Sequence, residues 1–371
     1  MKFNFYMPTK IRFARGVIDK YKDDMGDLGN KALIVTGQSS SKKNGSLKEL
    51  QDALESLKID YVIFDEVEEN PSLETVEKAT SIGKKEKVDF VVGLGGGSPL
   101  DAAKAIAVFI KNPHINSDNI FSYSNLQGLP VVAIPTTSGT GSEVTPYAIL
   151  TVHKEKTKIN INQPTFPEVA YLDSSFTDDL SFDITVNTAI DAFTHLLESY
   201  LNIDATDLTD MYAEKGFELF NYCLKAMLSK ELTSEFRDKI MLVSMYGGIS
   251  IAQVGTSLPH GMGYALTYNK GLPHGLANGV LTVEHLRLFK EKDNRNKVDK
   301  MLELIGVDNL DHLDEIFKSL FQLDDLKVTP QEIKDYAQAF TQNETKLKKH
   351  PEEVNLTDIY NVYNNSLKKL I

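Results

Sequence analysis

Short apolar runs alternate with amphipathic segments in the first half of the chain. The runs at residues 32–37 and 89–94 are largely apolar, as expected for strands buried on both faces. Between them, leucines recur at helical spacing at Leu47, Leu50, Leu54 and Leu57. The same criteria predict strands at 61–64 and 130–134, and helices at 73–82 and 99–110. This alternation predicts an α/β domain with a parallel sheet covered by helices on both faces.

The pattern changes close to residue 178. Apolar positions then follow helical spacing, for example at Val186, Ile190 and Phe193, and strand-like runs become rare. We therefore predict an α/β domain over residues 1–178 and an all-α domain over 179–371. Residues 3–13 alternate in polarity and predict an edge strand or hairpin, which could pair with a second subunit. On that basis we expect a homodimer.

Composition and charge narrow the range of functions. The 371-residue chain carries a net charge of −12, which disfavours a nucleic-acid partner because such proteins present basic surfaces. Its single cysteine excludes a disulfide framework and a zinc site made of several thiolates. Apolar runs are too short to span a bilayer, and residues 1–4 do not look like the start of a signal peptide. We expect a cytoplasmic protein without membrane contact.

A glycine-rich turn follows the predicted strand at 89–94. Gly95, Gly96 and Gly97 allow close approach of a pyrophosphate, and the helix that follows offers free N–H groups. We expect Pro99 at the first helical position and a capping box between Ser98 and Asp101. The spacing differs from both G-x-G-x-x-G and the phosphate loop with G-K-[ST]. The turn predicts a dinucleotide-binding domain, with Gly95, Gly96, Gly97, Ser98 and Asp101 as cofactor-binding residues. A capped glycine turn without a ligand is the alternative.

A second polar loop follows the strand at 130–134. It contains Thr136, Thr137 and Ser142, together with two further hydroxyl residues and two glycines. Hydroxyls and glycines suit contacts to phosphate and ribose, so we predict that these three residues bind the cofactor. A polar turn between strands is the alternative.

Four residues could hold a divalent metal. Asp191 and His195 are four residues apart in a helical pattern, so they share one face. Such a pair is commonly an ordinary surface pair, but His260 and His274 also lie in Gly/Pro-rich breaks between helices, each followed by glycine. One oxygen and three nitrogens suit Fe²⁺ or Zn²⁺. Other histidines are expected to be solvated (His114, His153, His312 and His350) or to lie on a helix in a core or surface position (His285).

Together these motifs resemble the iron-containing alcohol dehydrogenase family, especially its NADP-linked butanol and 1,3-propanediol dehydrogenase-like members. The resemblance covers nearly the whole chain and implies the dehydroquinate synthase-like fold, with an active site in the cleft between the two domains. It implies Asp191, His195, His260 and His274 as ligands of Fe²⁺, with Zn²⁺ as the alternative metal. Lys158 resembles the family lysine beside the nicotinamide ribose.

The implied activity is hydride transfer between NADP(H) and a small primary alcohol or aldehyde. Alternatives are a glycerol dehydrogenase-like enzyme, another metalloenzyme of this fold, or a catalytically silent NADP-binding protein. Many family members have a histidine where this chain has Tyr264, which puts the family's proton relay in doubt here. Tyr264 falls one helical turn after His260, and we predict it as a catalytic residue together with His274. A core tyrosine is the alternative.

The loop after the strand at 32–37 bears on the choice of cofactor. NAD-preferring relatives have Asp where Gly37 stands, and residues 36–43 contain no carboxylate. An acidic side chain there would bind the ribose 2′-hydroxyl and repel a 2′-phosphate. Gly37 leaves space, Ser39 and Ser40 can donate hydrogen bonds, and Lys42 or Lys43 adds positive charge. We therefore predict NADP, with a flexible loop of no preference as the alternative.

Overall fold

The computed structural model describes residues 3–155, 157–321, 323 and 326–368. The chain forms two compact units. The first comprises Tyr6–Leu180, and the second runs from Ser181 onward and also includes residues 3–5. The division at Leu180 lies two residues beyond the predicted boundary, and the assignment of residues 3–5 to the second unit differs from the prediction.

The first unit is built on a parallel sheet. Its described strands are β1 (Lys10–Phe13), β2 (Lys31–Thr36), β3 (Asp60–Phe64), β4 (Phe90–Gly95), β5 (Val131–Pro135), β6 (Ile149–Val152), β7 (Thr157–Asn160) and β8 (Val169–Leu172). Six of these form one sheet in the order β1-β8-β5-β4-β2-β3, with every neighbouring pair parallel. The other two, β6 and β7, form an antiparallel hairpin. The predicted parallel sheet is confirmed.

Helices cover both faces of that sheet. They are α1 (Val17–Tyr21), α2 (Asp23–Gly26), α3 (Ser40–Lys43), α4 (Ser46–Ser56), α5 (Leu73–Glu86) and α6 (Gly97–Lys111). Alternate strand residues face opposite cores: Leu33 packs with the residues of α5 and α6, while Ile34 packs with those of α4. The largely apolar runs seen in the sequence are therefore explained by burial on both sides.

Two local predictions in this unit are wrong. Helix α6 begins at Gly97, so Pro99 is its third residue, which is tolerated because the first N–H groups of a helix have no intrahelical partner. Ser98 and Asp101 do not form a capping box: Ser98 accepts a hydrogen bond from the backbone of Asn70, and Asp101 accepts from Ser142 and Ile149. In residues 3–13, the strand is confined to Lys10–Phe13, at one edge of the sheet.

The described secondary structure of the second unit consists of helices. Its helices are α7 (Phe182–Tyr200), α8 (Asp207–Ser229), α9 (Ser234–Val254), α10 (Leu258–Lys270), α11 (His274–Leu286), α12 (Lys292–Ile305), α13 (Leu310–Leu320), α14 (Pro330–Phe340), α15 (Glu344–Leu347) and α16 (Leu356–Leu367). Phe193 of α7 anchors the larger core, with its ring centroid 4.7 Å from that of Phe220 and 5.9 Å from that of Phe317. Within the described chain no single helix has the length and apolarity to cross a membrane, although α9 and α10, bent by 109°, meet that criterion as a pair.

Candidate functional site

The four predicted metal ligands lie on three helices of the second unit. Asp191 and His195 occupy one face of α7 and are almost completely buried. His260 lies in the first turn of α10, and His274 is the first residue of α11. The two latter histidines are therefore helical, not in loops as predicted, because Pro259 and Pro273 stand at helix starts, where proline does not interrupt hydrogen bonding.

These side chains converge on one point. Ligand atoms of Asp191, His195 and His260 all lie within 4.8 Å of one another. Oδ1 of Asp191 is 3.5 Å from Nε2 of His260 and 3.8 Å from Nε2 of His274. The rings of His195 and His260 stack with centroids 4.3 Å apart. The structure thus brings together all four residues that the sequence predicted as metal ligands.

The chemistry of this cluster fits a divalent cation. Burial opposes ionisation of Asp191, but the neighbouring His195 and His274 hold the pKa of its carboxyl below the ordinary value. Nε2 of His260 is buried and has no hydrogen bond, since its distance to Asp191 is too long for a good one. A buried polar atom normally has a partner. A carboxylate oxygen and imidazole nitrogens around one point suit Fe²⁺ or Zn²⁺.

Glu198 supports this cluster from behind, and sequence reasoning missed it. Its Oε1 atom pairs with Nδ1 of His260 and accepts a hydrogen bond from that residue's backbone N–H at 3.1 Å. Its Oε2 atom accepts from the backbone N–H of Ser257 at 2.6 Å. Burial opposes ionisation, but His260 brings the pKa of Glu198 down to about 2. The available signal was spacing, because Glu198 lies seven residues, or two helical turns, after Asp191.

Asn278 and Gly275 explain why α11 lies against α7. The Asn278 amide nitrogen donates to Asp191 Oδ1 at 3.2 Å and lies 3.3 Å from Nε2 of His274. A Cβ atom at Gly275 would be only 1.9 Å from the carbonyl oxygen of Asn187 on α7. The glycine after His274 is therefore required for the close approach of the two helices, and the approach puts His274 beside Asp191.

Tyr264 lies next to the same cluster. It is half-buried, and its ring stacks on that of His274 with centroids 5.6 Å apart and an angle of 22° between the planes. The predicted neighbourhood, one turn beyond His260, is thus what the structure shows. The predicted catalytic role of Tyr264 stays a proposal.

The glycine turn of the first unit joins the end of β4 to α6. Gly95 has φ +148°, a value that favours glycine, and its carbonyl oxygen accepts from the backbone of Thr136 at 2.8 Å. Side chains of Thr137 and Thr140 lie so close to Gly96 and Gly97 that added Cβ atoms would contact them. The turn and the loop beginning at Thr136 therefore lie side by side at the carboxyl ends of β4 and β5, where parallel sheets bind ligands.

A buried polar network holds this loop against α6. The Lys104 ammonium, fully inaccessible, donates to the Ser142 hydroxyl and the Tyr147 carbonyl, each at 2.8 Å. Ser142 in turn donates to Asp101 at 2.5 Å. Burial lowers the pKa of Lys104 to about 8 and raises that of the adjacent Glu143 to about 7. Two predicted cofactor residues, Asp101 and Ser142, are thus bonded to each other, and sequence reasoning missed Lys104.

Lys158 is linked to the glycine turn through Asn70. Its ammonium donates to the Asn70 side chain at 2.5 Å, and the backbone N–H of Asn70 donates to the Ser98 hydroxyl at 3.1 Å. Lys158 is on β7 of the hairpin that the sequence reading did not identify. The structure therefore places this predicted residue near Ser98.

The loop predicted to contact the adenosine ribose follows β2. Ser39 precedes α3, and Ser40 and Lys42 belong to it. A Cβ atom at Gly37 would touch only the Val67 carbonyl oxygen, at 3.5 Å. The Lys42 ammonium donates to the carboxylate of Asp65 at 2.5 Å, a partner that the sequence reading did not consider.

One histidine of the second unit differs from expectation, and another matches one of its two predicted alternatives. His350 was expected to be solvated but is buried, and its ring centroid lies 5.5 Å from that of His285. The prediction rested on the polar stretch around His350. The burial of His350 depends instead on packing against residues of α11, which are distant in sequence. His285 is fully buried, which fits the core alternative.

Comparisons with known proteins agree with this geometry. Residues 8–174 match the family model for iron-containing alcohol dehydrogenase, and 185–367 match the C-terminal model of the Fe-containing alcohol dehydrogenase family. The chain is 28% identical to an NADPH-dependent butanol dehydrogenase of Clostridium saccharobutylicum over 90% of this chain and 86% of that protein. It is 32% identical to a 1-propanol dehydrogenase of Citrobacter freundii over 79% and 75% of the two chains.

A solved structure gives the same result. An iron-containing alcohol dehydrogenase from Thermotoga maritima superposes with a TM-score of 0.91 at 38% identity, covering 99% of this chain and 100% of that one. The chain belongs to the iron-containing alcohol dehydrogenase family. It is accordingly an oxidoreductase of the alcohol dehydrogenase or aldehyde reductase class, in a family that binds a metal and a nicotinamide cofactor.

Proposed function

We propose that this chain interconverts a small primary alcohol and its aldehyde, using NADP(H) and a divalent metal. The observation that carries the proposal is the buried convergence of Asp191, His195 and His260, with His274 at 3.8 Å from the same Asp191 oxygen. The names of the relatives, a butanol and a 1-propanol dehydrogenase, support small alcohols as the substrate class.

The residues of the chain would act mainly by positioning. Asp191, His195, His260 and His274 would hold Fe²⁺, or Zn²⁺ as the alternative, and Asn278 and Glu198 would orient them. When bound, the metal would lower the pKa of the alcohol and the nicotinamide would accept hydride. The backbone of Gly95–Gly97, with Ser98, would face the pyrophosphate, together with Thr136 and Thr137. The hydrogen bond between Ser142 and Asp101 would hold the loop after β5 against α6 and so fix the shape of this site.

Activity and metal content test the proposal together. Protein purified without oxygen should contain close to one equivalent of iron or zinc and should oxidise NADPH with a panel of short aldehydes. Glycerol and other polyols belong in the reverse assay, because preference for them would favour the glycerol dehydrogenase alternative. A metal-loaded, folded protein that binds NADPH but turns over no alcohol or aldehyde would contradict the proposal.

The preference for NADP is proposed from the absence of a carboxylate at Gly37. The Gly37→Asp variant should shift kcat/KM toward NAD, because the new carboxylate would repel a 2′-phosphate and accept from a 2′-hydroxyl. A Cβ atom at this position would make only an ordinary contact, 3.5 Å from the Val67 carbonyl oxygen. A wild-type enzyme that works better with NAD, or an unchanged cofactor ratio in the variant, would show that this loop does not read the phosphate.

Tyr264 is proposed to line the substrate pocket, because it stacks on His274. If its hydroxyl transfers a proton, Tyr264→Phe should keep its metal and lose one limb of the pH–rate profile. An unchanged profile would restrict Tyr264 to packing.

A further inference from the structure

Lys42 and Asp65 form an ion pair between two neighbouring segments of the first unit. The Lys42 Nζ atom is 2.5 Å from Oδ2 of Asp65, and both side chains keep close to half of their surface exposed. This hydrogen bond holds the pKa of Asp65 below its ordinary value, so the carboxylate is charged at neutral pH. The next acidic residue, Glu66, pairs with a different lysine, Lys78 on α5.

The strand register places this pair at the ligand-binding edge of the sheet. Thr36 of β2 lies opposite Leu94 of β4, so the residues that follow Thr36 are level with the glycine turn. Val35 lies opposite Phe64 of β3. Asp65, the next residue, therefore lies beside the end of β2, on the neighbouring strand at the edge of the sheet. The backbone N–H of Val67 donates to the Thr36 carbonyl at 3.2 Å, which keeps the segment after β3 against the end of β2.

We propose that Asp65 is a specificity-determining residue that limits the preference of this site for NADP over NAD. The inference rests on the proposed function, in which the loop at residues 37–43 lies beside the adenosine ribose. A 2′-phosphate brings close to two negative charges, whereas a 2′-hydroxyl brings none. Asp65 compensates the charge of Lys42 and repels the phosphate, so it weakens binding of the phosphorylated cofactor alone.

The size of the effect follows from exposure. Because both partners are substantially in solvent, the interaction is screened by water and by salt. An exposed charge pair of this kind changes an equilibrium by about two- to fivefold. The cofactor preference should therefore be adjustable within that range and should depend on ionic strength.

Dissociation constants for NADPH and NADH, measured by fluorescence titration, test the inference. In Asp65→Asn the ratio of the NADH to the NADPH constant should rise about two- to fivefold at low salt, and less at high salt. Glu66→Gln is the matched control: it removes the same charge one residue later from the Lys78 pair and should change the ratio much less. In a Lys42→Gln background, Asp65→Asn should still raise the ratio, because repulsion between the Asp65 carboxylate and the phosphate does not require the lysine.

The outcomes separate this inference from the proposed function. A ratio that is unchanged or lower in Asp65→Asn, or that rises equally in Glu66→Gln, overturns the role of Asp65 even in an active enzyme. A protein that binds both cofactors and shows the expected shift, but turns over no alcohol, supports Asp65 and contradicts only the activity. A protein that binds neither cofactor overturns both.

Discussion

Asp191 illustrates how single side chains define the site. A buried carboxylate is costly unless charge or hydrogen bonds compensate it, and here three imidazoles and the Asn278 amide surround it. Apolar residues in the same place would stabilise the fold as well or better. The presence of this carboxylate in a helical core points to function, and a cation shared by the four side chains would explain both the charge and the geometry.

Removing one histidine should abolish metal binding without unfolding the protein. We expect His260→Ala and His274→Ala each to lose more than about a hundredfold in metal affinity, and activity with it, because the site depends on every ligand. The apolar core around Phe193 should keep the fold. Metal content by elemental analysis and circular dichroism melting check this.

The exposed His153 provides the control, since His153→Ala should retain metal and turnover. Full metal content in either ligand variant would remove that residue from the proposed site.

At the scale of elements, the contact between α7 and the first turn of α10 is decisive. Glu198 of α7 accepts hydrogen bonds from the backbone N–H groups of Ser257, just before α10, and of His260, and it pairs with the His260 ring. One carboxylate therefore both caps a helix and orients a proposed metal ligand. A helix N-terminus has free donors, and an acidic partner there is favourable. The position of His260 is thus set by a contact between helices.

Glu198→Gln should weaken metal affinity by about 10- to 100-fold while the variant remains folded. The amide keeps the shape but presents an NH₂ group to donors of Ser257 or His260 that the carboxylate now accepts from. Competition with a metal chelator measures the affinity. Glu214→Gln, which alters the partner of the Tyr200 hydroxyl, is the control. A lower melting temperature with unchanged metal affinity would reduce Glu198 to a structural role.

The loop after β5 carries a prediction about pH. Burial raises the pKa of Glu143 from 4.5 to about 7. Between these pH values Glu143 loses its proton in the unfolded chain but keeps it in the folded chain. The free energy of unfolding therefore falls as pH rises through this range. Lys104, with a pKa of about 8, stays protonated over that window.

Glu143→Gln should therefore gain stability relative to the wild type as pH rises from 4.5 to 7, by about 1–3 kcal/mol. Urea unfolding of both proteins across this range measures the difference. Glu155→Gln, an exposed change of the same charge, should show no such trend. A constant difference between Glu143→Gln and the wild type would contradict the buried titration.

For the whole molecule, the open edge of the main sheet is the feature with a consequence for assembly. Lys10 and Ala14 donate their backbone N–H groups toward β8, so by alternation the N–H groups of Ile11 and Phe13 point away from it. An edge of this kind can pair with the same edge of a second copy. We propose the homodimer on this basis.

Ile11→Pro should then give a monomer, because it removes an outward donor and leaves the bonds to β8 intact. Light scattering coupled to size-exclusion chromatography measures the mass. Ile11→Val, which keeps the donor, should remain dimeric. A monomeric wild type, or a dimer that survives the proline, would contradict pairing through β1.

By itself, the sequence determined the classes of structure and the candidate chemistry. Apolar runs such as 32–37 can only be satisfied by burial on both faces, and the spacing of Asp191 and His195 fixes a shared helical face. The conformation of Gly95 is also local, because its φ of +148° favours glycine whatever surrounds it.

Only the tertiary structure decided which distant residues meet. The role of Glu198 depends on α10 lying against α7, and the pairing of Asp65 with Lys42 depends on strand order. Ser98 and Asp101 looked like a capping box, but each is bonded to a residue elsewhere in the fold. Such contacts are set by packing between elements, and no pattern within one element encodes them.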